Sequence, residues 1–370
     1  MTDWKSRMTK PRWINLTVQG NFCESDTFPP LPCTGGRGIG GEGRATGRAL
    51  EAAISPQTPH PRPHSPAYRG AGSRAVLLCL LIVTSSPYNL AAASFSEREE
   101  AANPLYEVLQ KEGLTLVGGK KVPLSPPFMA DGLDAAKQRE ILETLVSKRF
   151  PVEEFTAKLG TAPHFHRIRK IAAEGPSPLA LVVDIAFVAH GSLDAVADRD
   201  FLEKLHKKSK DRRIHLLTAK ELEKRKLKVE SNRRCEERYS HGTFTILDRV
   251  ELRAALHTAV ARHSDSLLAA TLVDSSFADD ADFPNRWRKI SFDDEGQRRF
   301  GPAHPYSGAG GYLKVTRLHE PAGALFLEYH LVYSEPKSWF NDADPLTPKL
   351  PAIIQSEVRS FRRELNAVKK

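Results

Sequence analysis

Between Val250 and Val273 the chain alternates. Val250, Leu252, Ala254, Leu256, Thr258 and Val260 are interleaved with Glu251, Arg253, Ala255, His257, Ala259 and Ala261. Successive strand side chains point to opposite faces, so this spacing gives one mostly apolar face and one mixed face. The segment "HSDS" (His263 to Ser266) supplies a turn, and Leu267 to Val273 returns. Strands joined by so short a turn are antiparallel, and their apolar face has to be covered by another element.

The cover is expected at the end of the chain. In "KLPAIIQSEVRSFRREL", Leu350, Ile353, Ile354, Val358, Phe361 and Leu365 fall on one helical stripe, with Arg359, Arg362 and Arg363 expected outside it. Before it, "ALFLEYHLVYSEP" predicts a strand with Leu325, Leu327, Tyr329, Leu331 and Tyr333 on one face and Glu328 and His330 on the other, and "YLKVTRL" predicts its neighbour. "LALVVDIAFVAH" (Leu179 to His190), bounded by Pro178 and Gly191, predicts a further strand. A short helical pair is expected from Leu133, with Asp131 as its cap, and again after Pro151. "TAKE" (Thr218 to Glu221) has the capping-box pattern and predicts a helix to about Lys226, inside a charged block from Phe201 to Arg238. Residues Asp274 to Gly311 are expected to be loop. The fold class that follows is α+β: an antiparallel sheet of about five strands packed against an amphipathic C-terminal helix, with preceding helices.

The front of the chain has a different character. "AVLLCLLIV" (Ala75 to Val83) is nine residues long, roughly 14 Å as a helix, too short for a bilayer core of about 30 Å. Arg69 and Arg74 precede it and Ala91 and Ala93 follow it, which is the layout of a secretory signal peptide cleaved between Ala93 and Ser94. Four regions are therefore expected: residues 1–69 as a disordered or spurious extension, 70–93 as signal peptide, 94–130 as a loose lead-in, and 131–370 as one domain. The extension contains Gly38, Gly40 and Gly43 in G-x-G-x-x-G spacing, but prolines rather than a strand precede them, so no dinucleotide site is assigned. The net charge of +9 shrinks once the front is set aside. Residues 1–93 hold 10 Lys+Arg against 5 Asp+Glu, leaving 44 against 40 in the remainder. Cys23, Cys33 and Cys79 fall in the removed part, so Cys235 has no partner for an intramolecular disulfide. The mature protein is expected outside the cytoplasm, in the periplasm or cell envelope, with no stable membrane span.

The element order is similar in outline to helix-grip folds of the START and Bet v 1 types, in which a curved antiparallel sheet wraps a long C-terminal helix around an apolar pocket. At the level of residues, "DIAFVAHGSLD", "FPNRWRKI", "GGYLKVTRL", "EYHLVYSEPKSWF" and the final helix resemble a family of exported proteins associated with planctomycete bacteria. That resemblance covers roughly Asn103 to Leu365. It implies export and one mature domain, and it carries no activity. The helix-grip outline places an apolar small molecule between sheet and last helix, where Tyr329, Tyr333, Ile354 and Phe361 would line it.

Candidate chemistry is sparse. Glu328 and His330 are neighbours on one strand face, where a carboxylate could orient an imidazole as a general base. No G-x-S-x-G elbow supplies a nucleophile, and a structural pair is the favoured alternative. His164 and His166 have the i, i+2 spacing of strand metal ligands, but Arg167 and Arg169 adjoin them. Asp279, Asp280 and Asp282 could face calcium, without the spacing of an EF-hand, and a solvated loop is favoured. The basic block near Lys204 to Lys228 is interspersed with glutamates and reads as a mixed-charge surface rather than a nucleic-acid grip. No cofactor and no metal is expected. A non-catalytic binding or structural module is the expected function, with a hydrolase built on Glu328 and His330 as the alternative.

Overall fold

The computed structural model describes residues 103–116, 119–147, 149–171, 179–198, 201, 205, 212–229, 235–340 and 345–368. The regions expected as extension and signal peptide, and the first part of the expected lead-in, lie outside the described residues.

The sheet is far wider than the sequence suggests. It has eleven strands, all paired antiparallel, rather than about five. In chain order its strands are β3 (Phe165–Ile171), β4 (Leu179–His190), β5 (Arg212–Leu216), β6 (Cys235–Ile246), β7 (Val250–Arg262), β8 (Ser266–Val273), β9 (Arg286–Phe292), β10 (Arg298–Phe300), β11 (His304–Pro305), β12 (Ala309–Arg317) and β13 (Ala324–Glu335). A separate ribbon pairs β1 (Leu114–Thr115) with β2 (Lys121–Val122). Strand β7 is the branch point. β6 lies along one side of it, while β8 takes the Leu256–Arg262 half of the other side and β9 the Val250–Arg253 half. From β8 the sheet continues through β12, β13 and β4 to β3 at its end.

The extra strands come from segments expected to be loop or charged helix. β6, "CEERYSHGTFTI", and β9, "RWRKISF", carry charged residues, and some of them find hydrogen-bond partners across the ladder. His257 Nε2 lies 3.1 Å from Glu237, and Arg288 donates to Glu251 at 2.8 Å.

Both faces of the sheet are covered, which explains why β4 and β13 are nearly continuous apolar runs instead of alternating ones. On one face, the odd-numbered residues of β4 and β13 (Leu181 to Ala189 and Leu325 to Tyr333) pack with α6 (Leu350–Val368). The six stripe residues expected to face the sheet are all buried. Arg362, expected outside, is also buried. Its guanidinium turns inward to donate to the carbonyls of Val188 at 2.8 Å and Pro163 at 3.0 Å, and to that of Ala162. A cation can be buried there because three backbone acceptors replace its water.

The even-numbered face is covered by the segment preceding β3. α1 (Pro104–Lys111) starts at Asn103, whose side chain accepts from the Tyr106 amide and donates to the carbonyls of Ala259 and Leu268, fixing the helix start against β7 and β8. It stops at Gly113, whose φ of +78° is the left-handed end that glycine tolerates. α2 (Ala135–Val146) is capped by Asp134, not Asp131, and buries Leu142 and Val146. Asp131 lies one turn too early and pairs instead with Lys314 at 3.0 Å. α3 (Val152–Phe155) starts immediately after Pro151. α4 (Leu193–Ala197) follows β4. The expected capping box is present in α5 (Ala219–Glu223), where Thr218 N–H donates to Glu221 at 2.7 Å, though the helix ends at Glu223 rather than near Lys226. Among the described residues no helix is long and apolar enough to cross a membrane.

Candidate functional site

Glu328 and His330 of β13 sit on the even-numbered face with Asp184, which β4 places directly opposite His330. All three are fully buried. His330 Nδ1 is 2.8 Å from Asp184 Oδ1, and its Nε2 is 3.1 Å from Glu328 Oε2. Both ring nitrogens therefore face carboxylate acceptors, and the doubly protonated imidazolium is the form that satisfies both. Burial on its own would push the His330 pKa down. The two carboxylates outweigh it and hold the value above the ordinary histidine range. Burial similarly opposes ionisation of Asp184, but hydrogen bonds from His330 and Arg167 keep its carboxyl below the usual carboxylate range. Arg167 reaches Asp184 Oδ2 from the neighbouring strand β3 at 2.8 Å.

A strap formed by residues 125–131 closes this network. The amides of Phe128 and Met129 donate to the two oxygens of Glu328. Lys314 of β12, itself buried, donates to the Met129 carbonyl at 2.7 Å. Tyr312 OH donates to the Ser125 carbonyl at 2.7 Å, and its ring stacks on His330 with centroids 4.7 Å apart. The Phe128 ring lies 4.9 Å from His330 on the strap side. The pair expected from sequence is thus brought together, but sealed. Its protons and lone pairs are engaged by protein groups, and no solvent reaches it. Such an arrangement ties a chain segment to a sheet.

Asp184 and Lys314 were not singled out from the sequence. The signal was present: each is a charge in the middle of a mostly apolar strand, and a charge buried there has to be paired.

The opposite face contains an apolar cavity of about 30 Å³. Phe244 and Ile246 of β6, Leu252, Ala254 and Leu256 of β7, and Val273 of β8 form its sheet wall, and Tyr306, Ala309, Tyr333 and Trp339 complete it. Tyr306 OH donates to the Ser334 carbonyl at 3.3 Å. The Trp339 indole N–H is buried and finds no acceptor among the described residues. Of the four residues expected to hold an apolar molecule, Tyr333 lines this cavity. Tyr329, Ile354 and Phe361 pack in the continuous core between sheet and helix, with Phe187 against both Tyr329 and Phe361.

The other sequence candidates resolve into packing devices. Asp279 and Asp282 are exposed, as the solvated-loop reading has them, while Asp280 is largely buried. Arg225 grips Asp280 through two nitrogens, at 2.6 and 2.8 Å, and Asp282 at 2.9 Å, while Lys224 also pairs with Asp282. The Arg225 hydrogen bonds hold the Asp280 carboxyl down at about 2. His164 and His166 stack with centroids 5.4 Å apart. Cys235 is buried within β6, and burial pushes its thiol up to about 11. Among the described residues no group of three or more His, Cys, Asp or Glu side chains is arranged to hold a metal ion.

No protein-family model and no curated protein matches the chain. Among solved structures, the chain is similar to the human StarD13 (DLC2) lipid transfer and protein localization domain, with a TM-score of 0.35, 8% sequence identity, and coverage of 64% of this chain and 98% of that one.

Proposed function

We propose that this protein is a non-catalytic binding module that takes an apolar small molecule, one bearing a hydrogen-bond acceptor, into the apolar cavity lined by Trp339. The observation that carries this reading is a cavity wall of ten apolar and aromatic residues, one of which, Trp339, has a buried indole N–H without an acceptor among the described residues. An unsatisfied buried donor costs stability, and a carbonyl or ether oxygen on an apolar ligand would satisfy it. A space of about 30 Å³ holds one or two waters and not a lipid chain. Binding therefore requires the aromatic side chains around Trp339 to part, as happens when apolar ligands enter sites that close in their absence. Binding is favoured over a hydrolase because Glu328 and His330 are occupied in holding the strap. The reading includes action outside the cytoplasm after removal of residues up to Ala93, which the N-terminal mass of the protein isolated from its host would test.

The ligand reading is tested with the full chain and two probes that share a twelve-carbon chain, methyl laurate and dodecane, followed by tryptophan fluorescence. Methyl laurate is expected to bind more tightly. Ala254→Val, which fills the cavity, should weaken both probes at least tenfold, while Trp339→Phe should weaken methyl laurate by about 2- to 10-fold, one neutral hydrogen bond, and leave dodecane unchanged. Equal binding by wild type and Ala254→Val would overturn the reading.

A further inference from the structure

Strand β3 ends the sheet. It is hydrogen-bonded to β4 along one side, and among the described residues no strand lies beyond it. In an antiparallel ladder alternate residues turn both N–H and C=O away from their partner, so β3 presents a row of such groups along its outer edge. Its residues make no backbone hydrogen bond except to β4 among the described residues. The strand is seven residues long, and none of the seven is fully buried. It can therefore template a further strand.

The side chains decide which strand can be added. Register with β4 puts Phe165, Arg167, Arg169 and Ile171 on the strap side of the sheet, and His166, Ile168 and Lys170 on the α6 side. Arg167 and Arg169 are 46% and 49% exposed, although both approach Asp184, at 2.8 and 3.7 Å. One carboxylate cannot neutralise two guanidinium groups, and Asp184 is also engaged by His330. Lys170 is exposed on the other side, and β3 contains no acidic residue. The edge is positive on both faces.

Like charges directly opposite one another across a ladder are destabilising, and opposite charges stabilise it. A second copy of β3 joined antiparallel would set arginine against arginine, so the edge rejects its own kind, a common defence of natural sheets against edge-to-edge aggregation. The same charges favour a strand of opposite sign. We propose that β3 is the docking edge for an extended acidic peptide segment of a partner protein, which adds to the sheet as a further antiparallel strand. Backbone hydrogen bonds supply the affinity and the side chains set the sequence, as in other cases of strand addition. Carboxylates stand opposite Lys170, Arg169 and Arg167, and an apolar residue stands opposite Ile168, whose own side chain packs against the core. In the partner's direction the recognised pattern is acid, acid, apolar, acid. This edge is separate from the apolar cavity, and its role does not depend on what that cavity holds.

The test uses the full chain and a fluorescein-labelled peptide, VEEVETV, followed by fluorescence anisotropy. Saturable binding is expected, with the counterpart VKKVKTV bound about tenfold more weakly or worse, since three charge pairs change sign. Arg169→Glu combined with Lys170→Glu should weaken VEEVETV by about fivefold or more and bind VKKVKTV more tightly than wild type does, with circular dichroism confirming the fold. Strand addition is separated from simple charge attraction on the wild-type protein. Neighbouring residues of an added strand aim their N–H groups to opposite sides, so N-methylation at the third residue of VEEVETV or at the fourth should abolish binding in one case only. Hydrogen exchange at the outward amides of β3 should slow in the complex. Equal binding of the two oppositely charged peptides by wild type, equal binding of the two N-methylated peptides, or unchanged exchange in β3 overturns the proposal.

Discussion

Replacing His330 with leucine measures what the buried network contributes. The imidazolium makes two charge-assisted hydrogen bonds, to Asp184 at 2.8 Å and Glu328 at 3.1 Å. Each such bond contributes about 1.5–3 kcal/mol, and removing one partner from a buried ionic cluster typically costs about 3–5 kcal/mol. The lower end applies here, because Asp184 keeps Arg167 and Glu328 keeps the amides of Phe128 and Met129. The expected loss is therefore about 3 kcal/mol. For a domain of this size each kcal/mol lowers Tm by roughly 2–4 °C, so the midpoint should fall by roughly 6–12 °C. Urea unfolding followed by circular dichroism gives the free energy, and amide exchange at Phe128 and Met129 reports the strap locally. Exchange there should accelerate in His330→Leu beyond the change at amides in the middle of β7. A loss below about 1 kcal/mol, with exchange at those two amides unchanged, would refute the assignment of the network as the strap's anchor.

Two further outcomes are expected. His164 has a folded pKa of about 4 against an ordinary 6.5, so between those values the unfolded chain binds more protons and stability rises with pH; replacing His164 with glutamine should flatten that part of a stability profile measured from pH 4 to 7. Arg362→Leu leaves the carbonyls of Ala162, Pro163 and Val188 without their donor, and a loss of about 3 kcal/mol in urea unfolding, with Arg363→Leu changing stability by less than about 0.5 kcal/mol, is the expected contrast.

The elements legible in the sequence were those whose periodicity survives into the fold. β4, the β7–β8 pair, β13 and the stripe of α6 appear where their patterns put them, because each presents a single type of face over a long span. β3 was not legible. As the last strand of the sheet it keeps exposed charges along "HRIRK", and nothing in that spelling demands a strand. β6 was hidden for a different reason: Glu236, Glu237 and Arg238 suggest a solvated surface until β7 supplies the partner for Glu237. The site shows the same division. The adjacency of Glu328 and His330 follows from strand geometry alone, whereas their enclosure depends on a strap about 200 residues earlier in the chain. The inward turn of Arg362 was equally invisible, since its acceptors are backbone carbonyls that no side-chain pattern marks.

The placement of Glu328 and His330 also polices strand alignment. Were β13 to slide by one residue against β4 and β12, its side chains would exchange faces, and two ionisable groups would be driven into the hydrocarbon beneath α6 while Leu327 and Tyr329 met the polar strap. A purely aliphatic strand, greasy on both sides, would tolerate that error at little cost. The acid and the base embedded in it make the misaligned sheet prohibitively unfavourable, so the ladder has one correct setting.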